Sequence, residues 1–195
     1  MLSRPRRLAV TVGIAACLLA GCQAPTPTLS PAPSFTCTPE AGGAGFSCSQ
    51  HQYDDMVAKD KLYAEAEAVY RKFFAEDSRI LRVGGVSGPT EVIKQTTAGA
   101  FLQDSMDYYR SLLDERSKLV GGEIALTNLV RVPGVSKGGS LVALRACIDA
   151  SSARIQLHGK DIGPGRKGVD LLYFGRFDGV LKIQGADGQE GQTCA

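Results

Sequence analysis

Two glycine-spaced motifs match patterns that bind nucleotides or hold a nucleophile. Residues 163–168, GPGRKG, satisfy the G-x-G-x-x-G spacing of dinucleotide-binding loops, and residues 134–138, GVSKG, satisfy the G-x-S-x-G spacing of serine hydrolases. Both chemistries need a helix directly after the motif. A strand-like segment follows each motif here. We therefore interpret the first as an exposed basic loop, and the second as a loop between strands that holds Ser136.

The two histidines, His51 and His158, lie far apart in the sequence. Neither has a cysteine or carboxylate at the spacing of a zinc site. A catalytic triad would require one of them to meet a serine and an acid in space, which no motif indicates. We therefore predict no metal, no cofactor and no catalytic residue from these side chains.

Tyrosines on the predicted helices are the remaining side chains that could take part in catalysis. Acid–base catalysis needs a carboxylate in an apolar cavity, often beside tyrosine hydroxyls. Tyr63 and Asp104 lie on helical segments, while Tyr70 and Tyr109 lie on their apolar stripes, where a tyrosine usually packs in the core. Asn128 interrupts the apolar face of a predicted strand and needs a partner there. Tyr70, Tyr109 and Asn128 are therefore candidate pocket-lining residues, with core packing as the alternative.

The helices that would position these groups come first in the chain. Apolar residues recur at helical spacing over 53–76, which predicts an amphipathic helix. A glycine-rich break at 83–88 precedes a short predicted helix around 90–97. A third helix is predicted over roughly 98–118.

Beyond residue 122 the apolar period changes to two, which is typical of strands. Strands are predicted over 123–132, 140–149, 154–158, 169–177 and 180–185. Asp178-Gly179 is a strong hairpin signal between the last two. In the second strand, Val142 and Leu144 define an apolar face that places Cys147 on the opposite face. Three helices followed by about four antiparallel strands predict an α+β domain, with the helices covering one sheet face.

The N-terminal segment has the layout of a secretory signal peptide over residues 1–21, with three arginines followed by the apolar run 8–20. The run 19–22, LAGC, resembles the lipobox of bacterial lipoproteins. In that family the cysteine receives a diacylglycerol, cleavage occurs before it, and the new amino group can be acylated. The resemblance implies lipidation at Cys22 and a location on the extracytoplasmic face of the cell membrane.

Residues 22–52 are predicted to form a Pro/Thr/Ser-rich tether, because such composition stays extended. Residues 53–195 are predicted to form one domain. After removal of the signal peptide the charge is nearly balanced, at 19 basic against 20 acidic residues, and tryptophan is absent. This composition has no excess of basic residues of the kind that nucleic-acid-binding proteins use to contact phosphate groups.

Four cysteines remain after the signal peptide and Cys22 are set aside, an even number that suits an oxidising compartment. Three connectivities are open. We favour Cys37 with Cys48 and Cys147 with Cys194, because the polar C-terminal tail has no large apolar residue that would hold it in place.

The segment 141–162, LVALRACIDASSARIQLHGKDI, resembles secreted and lipid-anchored NTF2-like (cystatin-like α+β) proteins of actinobacteria. In these a hydrophobic strand runs into Cys-φ-Asp-x-Ser (φ being apolar), here Cys147 to Ser151, and the chain ends near a cysteine, here Cys194. The family often has tryptophan where this chain has Val180 or Leu181. The resemblance implies a cone-shaped domain with a pocket between helices and a curved sheet.

This resemblance implies no single activity, so three hypotheses remain. The first is a binding or accessory module at the cell envelope, with an envelope protein or a small apolar ligand as its partner. The second is a lipoprotein enzyme of the isomerase or cyclase type with an acid–base group in the pocket. The third is a homodimeric scaffold without a ligand.

Overall fold

The computed structural model of the protein describes residues 34–190. The predicted signal peptide, Cys22 and Cys194 lie outside these residues. The described elements, in chain order, are β1 (Phe35–Cys37), β2 (Phe46–Cys48), α1 (Gln50–Val83), α2 (Glu91–Thr96), α3 (Gly99–Asp114), β3 (Ser117–Val120), β4 (Ala125–Arg131), β5 (Val142–Asp149), β6 (Arg154–Leu157), β7 (Lys160–Pro164), β8 (Lys167–Phe177) and β9 (Val180–Glu190). The fold is α+β, as predicted. None of the helices among residues 34–190 has both the length and the apolar composition that crossing a membrane requires.

Helix α1 is longer than the predicted 53–76 because both of its ends are capped. The Ser49 hydroxyl accepts a hydrogen bond from the Gln52 N–H at 3.3 Å, and Gln52 Oε1 accepts one from the Ser49 N–H at 2.9 Å. This reciprocal arrangement satisfies amide groups that no helical carbonyl reaches. At the other end, Gly84 adopts a left-handed φ of 84° and donates its N–H to the Ile80 carbonyl.

The largest sheet has the strand order β4-β5-β8-β9, with every neighbouring pair antiparallel. The β8–β9 connection is the predicted turn, in which Asp178 and Gly179 both have positive φ. On β5, Val142, Leu144 and Ala146 belong to the same core cluster as the buried residues of α1 and α3. One face of the sheet therefore packs against the helices.

The predicted alternation on β4 is wrong beyond Leu126, because a β-bulge interrupts the pairing with β5 between Leu126 and Asn128. A bulge inserts one residue and reverses which side chains face the core. Leu129 consequently packs against the core, whereas Asn128 is exposed and Val130 is 38% exposed. Asn128 therefore lies on the exposed face of β4 and not on the core face that the alternation predicts.

The sequence predicts one sheet of about four strands, whereas the described strands form three sheets, of which one has four strands. Strands β3, β6 and β7 form a second sheet, and β1 pairs with β2. Helix α3 ends at Asp114 rather than near 118, since Arg116 has a φ of 48° that no helix continues through. Ser117–Val120 then pair with β6 instead of extending the helix.

The β1–β2 hairpin packs against the N-terminal half of α1. The rings of Phe35 and Tyr53 have centroids 5.3 Å apart. The compact unit begins at Ser34. Residues 34–48, which the sequence analysis places in the tether, are therefore folded against the helix.

Candidate functional site

A partly buried hydrogen bond joins α1 to α3 at the face that packs against the sheet. The hydroxyl of Tyr109 donates to Oδ1 of Asp77 at 2.7 Å. Tyr109 is 1% exposed, and Asp77 is partly buried. Asp77 lies one helical repeat after Tyr70 and one turn before Ile80, so it shares the buried stripe of α1. This stripe therefore carries a carboxyl group into the helix–sheet interface.

The environment of Asp77 raises its pKa from the ordinary 3.8 to about 6. Burial is the main cause, and the negative charge of Asp170 adds to the shift, while the hydrogen bond from Tyr109 opposes it. A carboxyl group with such a pKa exchanges its proton close to neutral pH. That is the property required of a general acid or base.

Asp170 supplies the second carboxyl group from β8. It pairs with Ala146 on β5, and Ala146 belongs to the helix-facing core. Because paired residues in a sheet point to the same face, Asp170 also faces the helices. Burial raises the pKa of Asp170 as well.

The hydroxyl of Tyr70 is the fourth group of the site. Tyr70 is 1% exposed, and burial raises its pKa, followed by the charges of Asp170 and Asp77. We call Tyr70, Asp77, Tyr109 and Asp170 the carboxyl–tyrosine cluster.

The other helical residues singled out from the sequence lie outside this cluster. Tyr63 donates to Glu40 at 3.3 Å and carries the guanidinium of Arg131 over its ring, 4.9 Å from the centroid. Asp104 is exposed and lines a surface cavity of about 260 Å3 with Lys137. Of the predicted lining residues, the structure therefore brings together Tyr70 and Tyr109.

The histidines and the glycine-spaced motifs take structural positions. His51 pairs with Asp55 at 2.8 Å on an exposed helix face, and His158 occupies a turn with a φ of 50°. Ser136 donates to a backbone carbonyl within its own loop at 3.0 Å. Residues 163–168 run from the end of β7 into β8, with no helix after them. Within 34–190, no group of three or more His, Cys, Asp or Glu is arranged to hold a metal ion.

Sequence reasoning missed both carboxyl groups, although each left a signal. Asp77 falls at the i+7 position after Tyr70, where the apolar stripe of α1 continues. Asp170 alternates with Leu172 and Phe174, which are buried on the same strand face. A charged residue at a core position is a recognised sign of function.

The predicted Cys37–Cys48 disulfide is present, with a Cα–Cα distance of 5.9 Å. Cys147 is 3% exposed and is also disulfide-bonded. Its predicted partner, Cys194, lies outside the described residues, as does the predicted lipidation site Cys22. That pairing and the lipidation remain predictions.

Asp77→Asn is expected to change the pH dependence of stability. The folded-state pKa of Asp77 is raised to about 6, so its proton-linked stabilisation is complete below about pH 4 and is lost as the pH rises through 6. Asparagine cannot ionise and keeps an oxygen for Tyr109. We therefore expect the free energy of unfolding of the variant, relative to wild type, to increase by about 2 kcal/mol between pH 4 and pH 7.5.

Urea unfolding across this pH range measures the difference, and Asp149→Asn is the matched control. The hydrogen bond from Lys167 lowers the pKa of Asp149 to about 2, so its contribution is instead lost as the pH falls below 4. Between pH 4 and pH 7.5 the difference between Asp149→Asn and wild type should therefore stay flat, and below pH 4 it should change with the opposite sign to that of Asp77→Asn. A flat difference for Asp77→Asn would show that its carboxyl is not held in a desolvated site.

The comparisons with known proteins assign no role to the residues of this site. Neither protein-family models nor curated protein sequences gave a match to this chain. The conclusion about function therefore depends on the carboxyl–tyrosine cluster and on the signals in the sequence.

Proposed function

We propose that this chain is a lipid-anchored binding module on the extracytoplasmic face of a bacterial cell envelope, with an NTF2-like cone as its folded domain. The lipobox-like run ending at Cys22 and the proline-rich segment after it support the anchor. The order of three helices before most of the strands supports the NTF2-like assignment. The ligand is a small molecule with an apolar body and a polar group.

The observation that carries the binding role is the pair of carboxyl groups, Asp77 and Asp170, that the fold places at the helix–sheet interface. Burial raises the pKa of both, because a charged carboxyl group is costly in a desolvated site. Carboxyl groups at core positions are a recognised sign of function. A ligand that hydrogen-bonds to them would offset the cost of their burial.

The experiment is native mass spectrometry of the full chain purified from its own envelope. We expect a retained small molecule that is lost in a Tyr70→Phe, Asp77→Asn double variant. Tyr63→Phe is the matched control, because Tyr63 is equally buried but lies outside the cluster. Retention of the same molecule by wild type and both variants would place its binding elsewhere, and absence of any ligand from wild type would contradict a binding role.

Cys22→Ala is expected to move the protein from the membrane to precursor or soluble fractions while the domain stays folded. The physical reason is that stable anchoring needs two or more acyl chains, and only a thiol can receive the diacylglycerol. Phase partitioning in detergent measures the change. Cys147→Ala is the control for loss of a cysteine outside the lipobox. Unchanged partitioning of Cys22→Ala, with the signal peptide cleaved, would refute lipidation at this residue.

An isomerase or cyclase is the second candidate function, and the pKa of Asp77 favours it. A carboxyl group with a pKa of about 6 beside a hydrogen-bonding tyrosine is suited to move a proton. The test is exchange of the acidic α-protons of a small cyclic enone in deuterated buffer. Exchange that is lost in Asp77→Asn would support catalysis, and exchange equal to that of buffer alone would exclude it for this substrate class.

A further inference from the structure

A cavity of about 220 Å3 lies where the end of α1 and one side of α3 meet the sheet that contains β3 and β6. None of the four residues of the carboxyl–tyrosine cluster lines it. Aliphatic side chains from both helices and both strands form much of its wall: Leu81, Leu112, Leu119 and Ile155. The cavity therefore offers an apolar surface to a small molecule.

The glycine-spaced segment 163–168 closes one side of this cavity through Gly165 and Arg166. Two backbone hydrogen bonds hold these residues against the turn after β5. The Gly165 N–H donates to the Ala153 carbonyl at 2.9 Å, and the Ala150 N–H donates to the Arg166 carbonyl at 3.0 Å. A Cβ atom at Gly165 would lie 2.4 Å from the Ala150 carbonyl oxygen, so glycine alone permits this close approach. The segment thereby brings a guanidinium group to the cavity wall.

Both charged side chains that line the cavity are cationic. Lys118 on β3 and Arg166 before β8 are exposed, so they lie at its mouth. None of the described residues that line the cavity has a carboxyl group. Tyr108 adds a phenol whose pKa is raised by desolvation and further by the charges of Asp77 and Glu115, so its hydroxyl stays protonated at neutral pH. The lining therefore joins an apolar wall to groups that attract an anion.

The volume of the cavity limits the size of the molecule that fits. Ligand pockets for drug-sized molecules have volumes of about 300–1,000 Å3, so this cavity suits a smaller one. An apolar protein cavity of about 150 Å3 is large enough to bind benzene. The cavity here, at about 220 Å3, therefore has room for one ring and a short polar arm.

We propose that this cavity binds a small carboxylate with an aromatic or other apolar body. The body packs on the aliphatic wall, and the carboxylate accepts hydrogen bonds from Lys118 and Arg166 at the mouth. A guanidinium group suits this role because its fork of N–H donors matches the two oxygens of a carboxylate. This inference rests on the cavity and its charges, and it is independent of the function proposed for the carboxyl–tyrosine cluster.

The test compares phenylacetate with phenylacetamide, which has nearly the same shape but no charge, by calorimetric titration of the full chain in detergent at pH 7.5. Phenylacetate is expected to bind about tenfold more tightly, because charge-assisted hydrogen bonds are roughly twice as strong as neutral ones. Phenethylammonium, which has a similar body and the opposite charge, should bind more weakly than either.

Variants of the cavity separate its two contributions. Lys118→Gln should weaken phenylacetate binding by about threefold or more, and Lys118→Gln with Arg166→Gln should remove the preference for phenylacetate over phenylacetamide. Leu119→Phe places extra volume in the cavity and should weaken both probes alike, with urea unfolding to verify that the domain stays folded. Lys160→Gln is the matched control, because Lys160 is an exposed cation on β7 of the same sheet and does not line the cavity.

Each contrary result overturns a defined part of the inference. Equal affinity for phenylacetate and phenylacetamide, or tighter binding of phenethylammonium, would refute an anion site. An equal effect of Lys160→Gln and Lys118→Gln would reduce the preference to the general charge of the surface. Binding of none of the three probes would refute the cavity as a ligand site. Binding of phenylacetate, together with no molecule retained in native mass spectrometry, would support this inference and contradict the proposed function.

Discussion

Gly85→Ala is expected to lower the free energy of unfolding by about 4 kcal/mol, from left-handed backbone strain and overpacking combined. Gly85 has a φ of 94°, which alanine tolerates poorly. A Cβ atom there would lie 2.2 Å from the Tyr109 carbonyl oxygen and 3.0 Å from the backbone nitrogen of Leu113. Because the obstacles are backbone atoms, helix α3 itself would have to move.

The same substitution should disturb the site, since Gly85 sets how closely α1 and α3 approach. A shift of α3 would lengthen the Tyr109–Asp77 hydrogen bond and so raise the pKa of Asp77 further. Urea unfolding measures the stability, and carboxyl NMR titration follows Asp77. Gly88→Ala is the matched control, because its Cβ would meet nothing within 4 Å. Equal stability of the two variants would show that the approach of the helices is not limited at Gly85.

Replacement of both Cys37 and Cys48 by alanine is expected to cost about 3 kcal/mol in the free energy of unfolding, the loop-closure entropy of a short bridge. Sequence reasoning alone, which places this loop in the tether, predicts nearly unchanged melting of the core. The structure revises that expectation. Cys37 is 2% exposed, and the hairpin that it closes contacts α1 through Phe35 and through the hydrogen bond from Tyr63 to Glu40.

The measurement combines thermal unfolding with amide hydrogen exchange of residues 34–48. We expect faster exchange in the hairpin and at the start of α1, since their packing is coupled. Ser47→Ala is the control, because Ser47 is exposed on the same strand and makes no bridge. Unchanged protection of α1 together with an unchanged melting temperature would restore the interpretation of the hairpin as an independent tether segment.

The helices and the main strands were predictable because their signals are local. The apolar residues that include Tyr63 and Tyr70 lie on one side of the segment only if it is a helix. The alternating residues Val142 and Leu144 lie on one side only if their segment is a strand. The turn at Asp178-Gly179 was equally local, since it depends on two residues that tolerate positive φ. These features need no knowledge of distant residues.

The sequence could not predict in the same way which face of a strand each side chain occupies, or which sheet each strand joins. Alternation alone cannot reveal a bulge, so Asn128 was assigned to the wrong face of β4. The strand Ser117–Val120 was missed because four residues carry little periodicity, and its partner β6 lies more than thirty residues later. Hydrogen-bonded pairing between strands that are distant in the chain sets both features, and this pairing forms only in the folded domain.

The sequence by itself determined the order of the three helices and of the strands of the largest sheet, the α+β class and the burial of Tyr70 and Tyr109, because side-chain periodicity follows directly from helix and strand geometry. Only the tertiary structure decided that Asp77 and Asp170 both face the helix–sheet interface. Their segments are far apart in the chain, and helix packing on the sheet brings them together. The pKa shift of Asp77 then arises from burial, which is a property of the assembled core and not of any local run of residues.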